Sequence, residues 1–135
     1  MKLISTVAAL ALFLGGIDSL RAQAPPAPRS LLKTWSGAIC NGKVTVTFAF
    51  SEIRGDKLVG TAKDSTGGIS NFAHDGSGSG SATWQAGNLT VETAATITRF
   101  RLASGKLVGT YARKLGYYNP NNRMGCPQQE QVTFQ

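Results

Sequence analysis

His74, Asp75 and Ser77 carry the residue types of a nucleophilic catalytic triad and lie close together in the chain. Adjacent side chains in a glycine-rich loop cannot form the relay from nucleophile to base to carboxylate without distant partners, and His74 is the chain's single histidine. Carboxylates occur elsewhere, but nothing in their spacing selects two of them as a general acid and base. We therefore predict no catalytic residues and expect a protein that is not an enzyme.

The same inventory argues against a bound metal or cofactor. A metal site needs several converging ligands, and one histidine with scattered carboxylates does not supply them. The segment 64–80 has the glycine and serine content of a phosphate-binding loop. It lacks the pattern Gly-x-x-x-x-Gly-Lys-Ser/Thr, however, and no helical pattern follows it. We predict neither a metal nor a cofactor.

Aromatic and basic residues provide the candidates for binding. Tyr117, Tyr118 and Arg123 lie in a predicted loop, 115–127, where the rings could stack on a sugar and the guanidinium could meet an anion. Loops carried on a rigid sheet are where binding residues concentrate, so this loop is the first candidate surface. Tyr111 and Trp35 lie in predicted strands and complete the candidate set. For Trp35, packing in the core or at a barrel end is the alternative interpretation.

The beginning of the chain predicts export. Lys2 precedes an apolar run over 3–17, and Ala22-Gln23-Ala24 then matches the small-x-small pattern that signal peptidase recognises. Because Pro25 would hinder cleavage after Ala24, we place the signal peptide at 1–22. The alternative is a membrane anchor, but the run is shorter than the roughly 20 apolar residues of a span. We expect a periplasmic or secreted protein with no membrane span after signal removal.

Cys40 and Cys126 lie near the two ends of the remaining chain. In an oxidising compartment, two cysteines are most simply explained as one disulfide. A catalytic cysteine would need a neighbouring base, for which the sequence offers only His74. We therefore predict a structural disulfide.

The charge balance bears on partners. Lys2, Arg21 and Asp18 fall within 1–22, so the chain's 14 basic and 7 acidic side chains become 12 and 6, a net charge of +6. This excess favours anionic partners such as acidic glycans or acidic proteins, although a soluble domain with a high isoelectric point is the simpler explanation. The predicted compartment argues against nucleic acid. The imbalance is sharpest after Ala95, where Glu130 is the single acidic residue. The basic residues in this part of the sequence are Arg99, Arg101, Lys106, Arg113, Lys114 and Arg123.

The elements that must position these residues are strands. The segment 23–30 is rich in proline and predicts an exposed linker, and 31–135 is long enough for one domain. β-Branched and aromatic runs alternate with glycine, asparagine and serine turns throughout that domain. A further short strand at 69–73 is left open as an alternative to a mobile loop. The predicted strands are 34–39, 43–52, 57–63, 81–85, 89–93, 96–103, 106–113 and 129–134.

An internal repeat supports a closed sheet. Lys57-Leu58-Val59-Gly60-Thr61 recurs as Lys106-Leu107-Val108-Gly109-Thr110, each time as the second arm of a hairpin. A two-residue turn at Ser104-Gly105 would set Phe100 opposite Gly109. A three-residue loop, Arg54-Gly55-Asp56, would set Phe50 opposite Gly60. Glycine within a strand permits sharp coiling, and a phenylalanine can cover the backbone that it leaves bare. We predict an all-β fold: an antiparallel up-and-down meander of about eight strands closing into a small barrel.

Two families resemble this pattern. Trp35 in the first strand and the repeated Lys-Leu-Val-Gly-Thr are similar to calycins, the lipocalin and avidin type of small β-barrel, which implies ligand binding within the barrel. The avidin-type Trp-x-Asn pattern is broken at Gly37, so biotin is not an expected ligand. Ile39-Cys40-Asn41-Gly42 and the serine loop at Ser79 resemble periplasmic inhibitors of c-type lysozyme, which implies a protein partner. The leading hypothesis is thus an exported, non-catalytic binding protein for a small molecule or glycan. The alternative is a protein-binding inhibitor or surface-interaction factor.

Overall fold

The computed structural model describes residues 26–119, 121 and 124–135. The predicted signal peptide, the first residues of the predicted linker and the candidate Arg123 lie outside the described residues. Within the described part of the chain, no helix is both long enough and apolar enough to cross a membrane.

Nine strands and two short 3-10 helices make up the described structure, and every strand predicted from the sequence is present to within two residues at its ends. The open alternative at 69–73 is resolved as a strand, β4. The strands are β1 (Thr34–Ile39), β2 (Val44–Arg54), β3 (Lys57–Asp64), β4 (Ile69–Phe72), β5 (Ser81–Gln85), β6 (Asn88–Glu92), β7 (Thr96–Ala103), β8 (Lys106–Arg113) and β9 (Gln129–Phe134), with 3-10 helices at Arg29–Leu31 and Leu115–Tyr117.

These strands form one antiparallel sheet that nearly closes on itself, which confirms the predicted meander. Consecutive strands pair from β1 to β3 and from β5 to β9, and β9 returns to β1. β4 pairs with the second half of β3, whereas β5 meets the first half of β3 at Lys57 and Thr83. The chain therefore encloses one core in a barrel whose weakest joins are β3 with β5 and β1 with β9.

The two repeated hairpins have the predicted pairs but not both predicted turns. Phe100 lies opposite Gly109, and Phe50 lies opposite Gly60. The three-residue loop predicted after Ile53 is wrong, because Arg54 pairs with Lys57 across a two-residue turn. An irregularity between Phe50 and Glu52 adds one residue to β2, and this bulge restores the Phe50 and Gly60 pair.

The strand glycines allow neighbouring backbones to approach closely. A β-carbon at Gly109 would overlap the carbonyl group of Arg99, and one at Gly60 would overlap that of Ala49. The same close contact occurs in both hairpins, which explains why both copies of the repeat have glycine at this position.

One end of the barrel, here called the closed end, carries the turns at 55–56, 86–87 and 104–105. The 3-10 helix Arg29–Leu31 covers it: Leu31 is fully buried and accepts a hydrogen bond from the Trp35 indole nitrogen at 3.0 Å. Ala27 is also buried, so this part of the predicted linker packs on the barrel rather than extending into solvent.

The middle of the barrel is filled by phenylalanine rings. The ring centroid of Phe48 lies 4.9 Å from that of Phe134 and 5.9 Å from those of Phe50 and Phe100. Phe72 packs beside this group at 6.1 Å from Phe50. Such packing leaves no passage along the barrel axis at this level, so any space for a ligand lies nearer the other end.

Candidate functional site

The other end of the barrel, here called the mouth, is formed by the segments 40–43, 65–68, 93–95, 114–119 and 124–128. These are the connections opposite the short hairpin turns, and they include the long loop between β8 and β9. The mouth contains the cavities described below and most of the residues predicted for binding.

Strand alternation places two side chains at the mouth. Leu107 and Gly109 face the core on β8, so Tyr111 and Arg113 follow on the same inward face with a period of two residues. Tyr111 is buried, and Arg113 lies one step nearer to solvent. The guanidinium carbon of Arg113 lies 5.8 Å from the centre of the Tyr111 ring, which places the cation against the ring.

A first cavity of about 260 Å³ opens between β3, β4 and β7 at the mouth. Buried side chains, apolar apart from Thr98, cover its inner wall, and polar and charged groups lie toward the opening together with the exposed Ile69. It is smaller than a typical ligand pocket of roughly 300–1,000 Å³, so it suits a small molecule or one end of a larger one. Its lining includes Val46, Phe48, Ala62, Lys63, Asp64, Ile69, Ser70, Val91, Thr93, Thr96, Thr98, Tyr111 and Arg113.

A second cavity of about 240 Å³ lies on the other side of Tyr111 and Arg113, beneath the loop between β8 and β9. Asp64, Tyr111 and Arg113 line both cavities, so the two spaces are separated by shared side chains rather than by a wall of backbone. The remaining lining residues are Ile39, Val44, Thr66, Tyr117, Asn119, Met124 and Cys126.

Tyr111 presents a protonated hydroxyl to this site. Burial raises the pKa of Tyr111, against the lowering effects of the Arg113 charge and of a hydrogen bond with Thr96. The Thr96 hydroxyl also lies 2.8 Å from the Thr93 hydroxyl. Two hydroxyl groups, those of Thr93 and Thr96, are thus hydrogen-bonded to each other at the edge of the first cavity, which Tyr111 also lines.

Arg113 is the unusual residue of the mouth. Its Nε atom is buried, and no group among the described residues accepts a hydrogen bond from it. Ion pairs within the described chain are Arg54 with Glu52 and Lys114 with Glu92, so Arg113 has no carboxylate partner there. A buried unpaired donor costs about 1–3 kcal/mol, and more when the group is charged.

Asp64 borders both cavities, but its carboxylate is hydrogen-bonded within its own turn. Its carboxylate accepts hydrogen bonds from the N–H groups of Thr66 at 2.8 Å and Gly68 at 3.0 Å, and from the Thr66 hydroxyl. Burial alone would raise the pKa of Asp64, but these hydrogen bonds outweigh it and hold the pKa below its ordinary value. The carboxylate therefore shapes the 65–68 turn at the edge of the mouth.

The join between β1 and β9 is fastened at the mouth by two devices. Glu130 accepts a hydrogen bond from the Cys40 N–H at 2.8 Å, in place of a strand carbonyl. Cys40 and Cys126 form the predicted disulfide, which ties the end of the long loop to the end of β1. The rear wall of the second cavity is thereby held in place.

Exposed apolar side chains surround the mouth. The large hydrophobic residues that are exposed within the described chain are Ile69, Leu115 and Tyr117, at 64%, 82% and 61%. Ile69 borders the first cavity and Tyr117 the second, while Leu115 belongs to the same short helix as Tyr117. We call these three residues the apolar rim.

The predicted binding residues are thus only partly brought together. Tyr111 and Tyr117 line the mouth cavities, and Tyr118 is half-buried beside Tyr117 without lining either of them. Trp35 lies near the closed end, with Lys33 over its ring at 4.1 Å, and Arg123 is outside the described residues. Sequence reasoning missed Arg113, Asp64 and Thr96 as a site. Alternation from Tyr111 could have placed Arg113 on the inward face.

Two other candidate sets can be located. Arg99 and Arg101 are exposed on the outer face of β7, beside a shallow groove. The Ser77 hydroxyl donates to Asp75 at 2.6 Å, while His74 lies beside Arg54. Within the described residues, no group of three or more histidine, cysteine or acidic side chains is arranged to hold a metal ion.

The fold and the site therefore define an antiparallel β-barrel with a covered end and an open mouth, where one buried guanidinium nitrogen of Arg113 has no acceptor among the described residues. Comparisons of the chain with protein-family models, curated proteins and solved structures found no match.

Proposed function

We propose that this protein is an exported, non-catalytic binding protein that holds a small molecule or a glycan residue in the mouth of its barrel. The observation that carries the proposal is the convergence of two cavities on Tyr111 and Arg113. Ligand sites are concave and largely apolar, with a few placed polar groups, and the mouth has this composition. The disulfide and the signal-like sequence at 1–22 support export.

The resemblance to calycins agrees with this proposal, since those barrels bind ligands at an open end. The filled centre of this barrel limits the comparison. Phe48 and its neighbouring rings occupy the level where a deep cavity would lie, so the ligand must sit near the mouth.

The test is to purify the protein after export with its own signal and to record native and denaturing mass spectra. The proposal expects a bound mass that is lost on denaturation, on a protein cleaved after Ala22 with one disulfide. Tyr117→Ala should reduce ligand retention, whereas Arg99→Ala, on the outer face, should not. A bare monomer with no adduct under any native condition would contradict the proposal.

A second candidate function, the protein-binding inhibitor or surface-interaction factor, is favoured by the apolar rim. Leu115 and Tyr117 are both exposed in one short helix, and clusters of exposed apolar residues commonly mark contact surfaces. The likeness to lysozyme inhibitors receives less support, because the Ser79 hydroxyl is occupied by a hydrogen bond from the Asn71 N–H at 2.9 Å.

The experiment that separates the two functions is a pull-down with wild-type protein and with Leu115→Ser. A partner protein captured by the wild type and lost in the variant, with no small-molecule adduct in the native spectrum, would favour the second function. Equal capture by both proteins would exclude the apolar rim as the contact surface.

A further inference from the structure

Arg113 is placed where a ligand's negative charge would be needed. Its side chain points into the barrel from the last inward position of β8, and it lines both mouth cavities. The buried Nε donor has no acceptor among the described residues. A guanidinium in this state gains more from a carboxylate than an exposed one does, because part of it has already been removed from water.

Within the described residues, the carboxylates around the mouth form no ion pair with Arg113. Asp64 is bound by the N–H groups of its own turn, Glu130 by the N–H groups of Cys40 and Asn41, and Glu92 by Lys114 at 2.8 Å. Lys63 adds a second positive charge to the lining of the first cavity. Asp64 lines the same cavity and keeps its negative charge, so Arg113 is distinguished by a buried donor without an acceptor and not by an excess of positive charge.

The rest of the first cavity is suited to an apolar group. Val46, Phe48 and Val91 are buried and line the cavity, and Thr98, with 1% exposure, lies among them. Tyr111 also lines this cavity, and its ring centre lies 5.8 Å from the guanidinium carbon of Arg113. Because burial raises the pKa of Tyr111, the hydroxyl stays protonated at neutral pH and is able to donate a hydrogen bond.

We infer that the ligand is a small amphipathic acid whose carboxylate binds Arg113 and Tyr111, while its apolar portion occupies the first cavity against Val46, Phe48 and Val91. This inference rests on the proposed small-molecule function and narrows it to a chemical class. Members of this class have a single anionic head and an apolar tail of few atoms, because the cavity volume is only about 260 Å³.

The test compares matched pairs of probes that differ only in charge. Straight-chain alkanoates of about four to ten carbons, and 4-phenylbutanoate, are titrated calorimetrically at neutral pH against the corresponding primary amides. The wild type should bind the best acid at least about tenfold more tightly than its amide, which is a modest gain for one charge-assisted pair. Equal binding of acid and amide would overturn the inference and leave the proposed function standing.

Arg113→Met provides the second measurement. This variant should lose the preference for acid over amide, while Arg99→Met, which removes the same charge from the outer face, should keep it. Because the wild-type Nε donor is unpaired, Arg113→Met should unfold at the same temperature as the ligand-free wild type or at a higher one, so loss of binding cannot be confused with misfolding.

The remaining outcomes are also decisive. If Arg113→Met keeps the full preference, the inference is overturned. If no probe in the series binds the wild type, the inference is overturned as well. The proposed function is then tested separately by the native mass spectrum. A neutral molecule in that spectrum would support the function and reject the acid.

Discussion

The ring of Phe134 packs against Gly37 so closely that a β-carbon at position 37 would overlap three of its ring carbons. The two residues face each other across β1 and β9, the strands that close the barrel. Phe134 is fully buried and stacks on Phe48, so it has little freedom to move aside. The small size of residue 37 is thus a condition for joining the first strand to the last.

Gly37→Ala should therefore lower the free energy of unfolding by about 1–3 kcal/mol, the usual cost of overpacking a filled core. Urea denaturation measures the loss. Gly116→Ala is the matched control, since the added β-carbon would meet nothing within 4 Å, and it should change stability by less than about 0.5 kcal/mol. If the two variants were equally stable, the close packing of Phe134 on Gly37 would be refuted.

Removing the disulfide should destabilise the barrel without abolishing it. The bond closes a loop of 86 residues, and bonds of this kind contribute about 2–4 kcal/mol. The double variant Cys40→Ala/Cys126→Ala should lose this amount in denaturant titration and retain the far-ultraviolet spectrum of a β protein. Reduced wild type should match the variant. A variant as stable as the oxidised protein would contradict the assigned role.

Tyr111 should make the protein less stable in alkali. Its pKa is raised above the ordinary 10.0 by burial, so the folded state holds the phenolic proton more firmly than the unfolded state does. This contribution is fully present below pH 10 and is lost as the pH rises through the folded-state pKa. Unfolding free energies measured from pH 8 to 11 should fall more steeply for the wild type than for Tyr111→Phe. Parallel curves would count against the buried phenol.

Asp64 should act in the opposite direction, in acid. Hydrogen bonds in its turn hold its pKa below 3.8, so its carboxylate stabilises the folded state above that pH, and the contribution is lost as the pH falls through the folded-state pKa. Asp64→Asn should cost about 1 kcal/mol at neutral pH, reduced from the usual value for charged hydrogen bonds because the site is largely exposed. The difference from wild type should shrink below pH 4. A difference independent of pH would show that the charge is not involved.

The strands could be predicted because their signals are local. Alternating side chains and the turn at Ser104-Gly105 determine the pairing of Phe100 with Gly109 without reference to the rest of the chain. The bulge between Phe50 and Glu52 could not be predicted in this way, since a longer turn gives the same partner for Phe50. The pairs between the bulge and the turn, Glu52 with Val59, Ile53 with Leu58 and Arg54 with Lys57, distinguish the two arrangements.

The site was less accessible to sequence reasoning. Tyr111 and Tyr117 attract notice as aromatic residues, but the role of Arg113 depends on what lies across the barrel from it. The hydrogen bonds of Asp64 lie within its own turn, whereas the contact of Glu130 with the Cys40 N–H joins residues 90 positions apart and depends on the β1–β9 join.

The closed end of the barrel determines the route by which a ligand would be exchanged. With Leu31 sealing one end and phenylalanine rings filling the centre, a molecule at Arg113 enters and leaves by the same opening. A chain longer than the cavity would leave its remainder outside, against Ile69 or Tyr117. Such a protein would grip the terminus of a larger molecule rather than enclose it, and a group attached to the free end would remain accessible to enzymes in the surrounding medium.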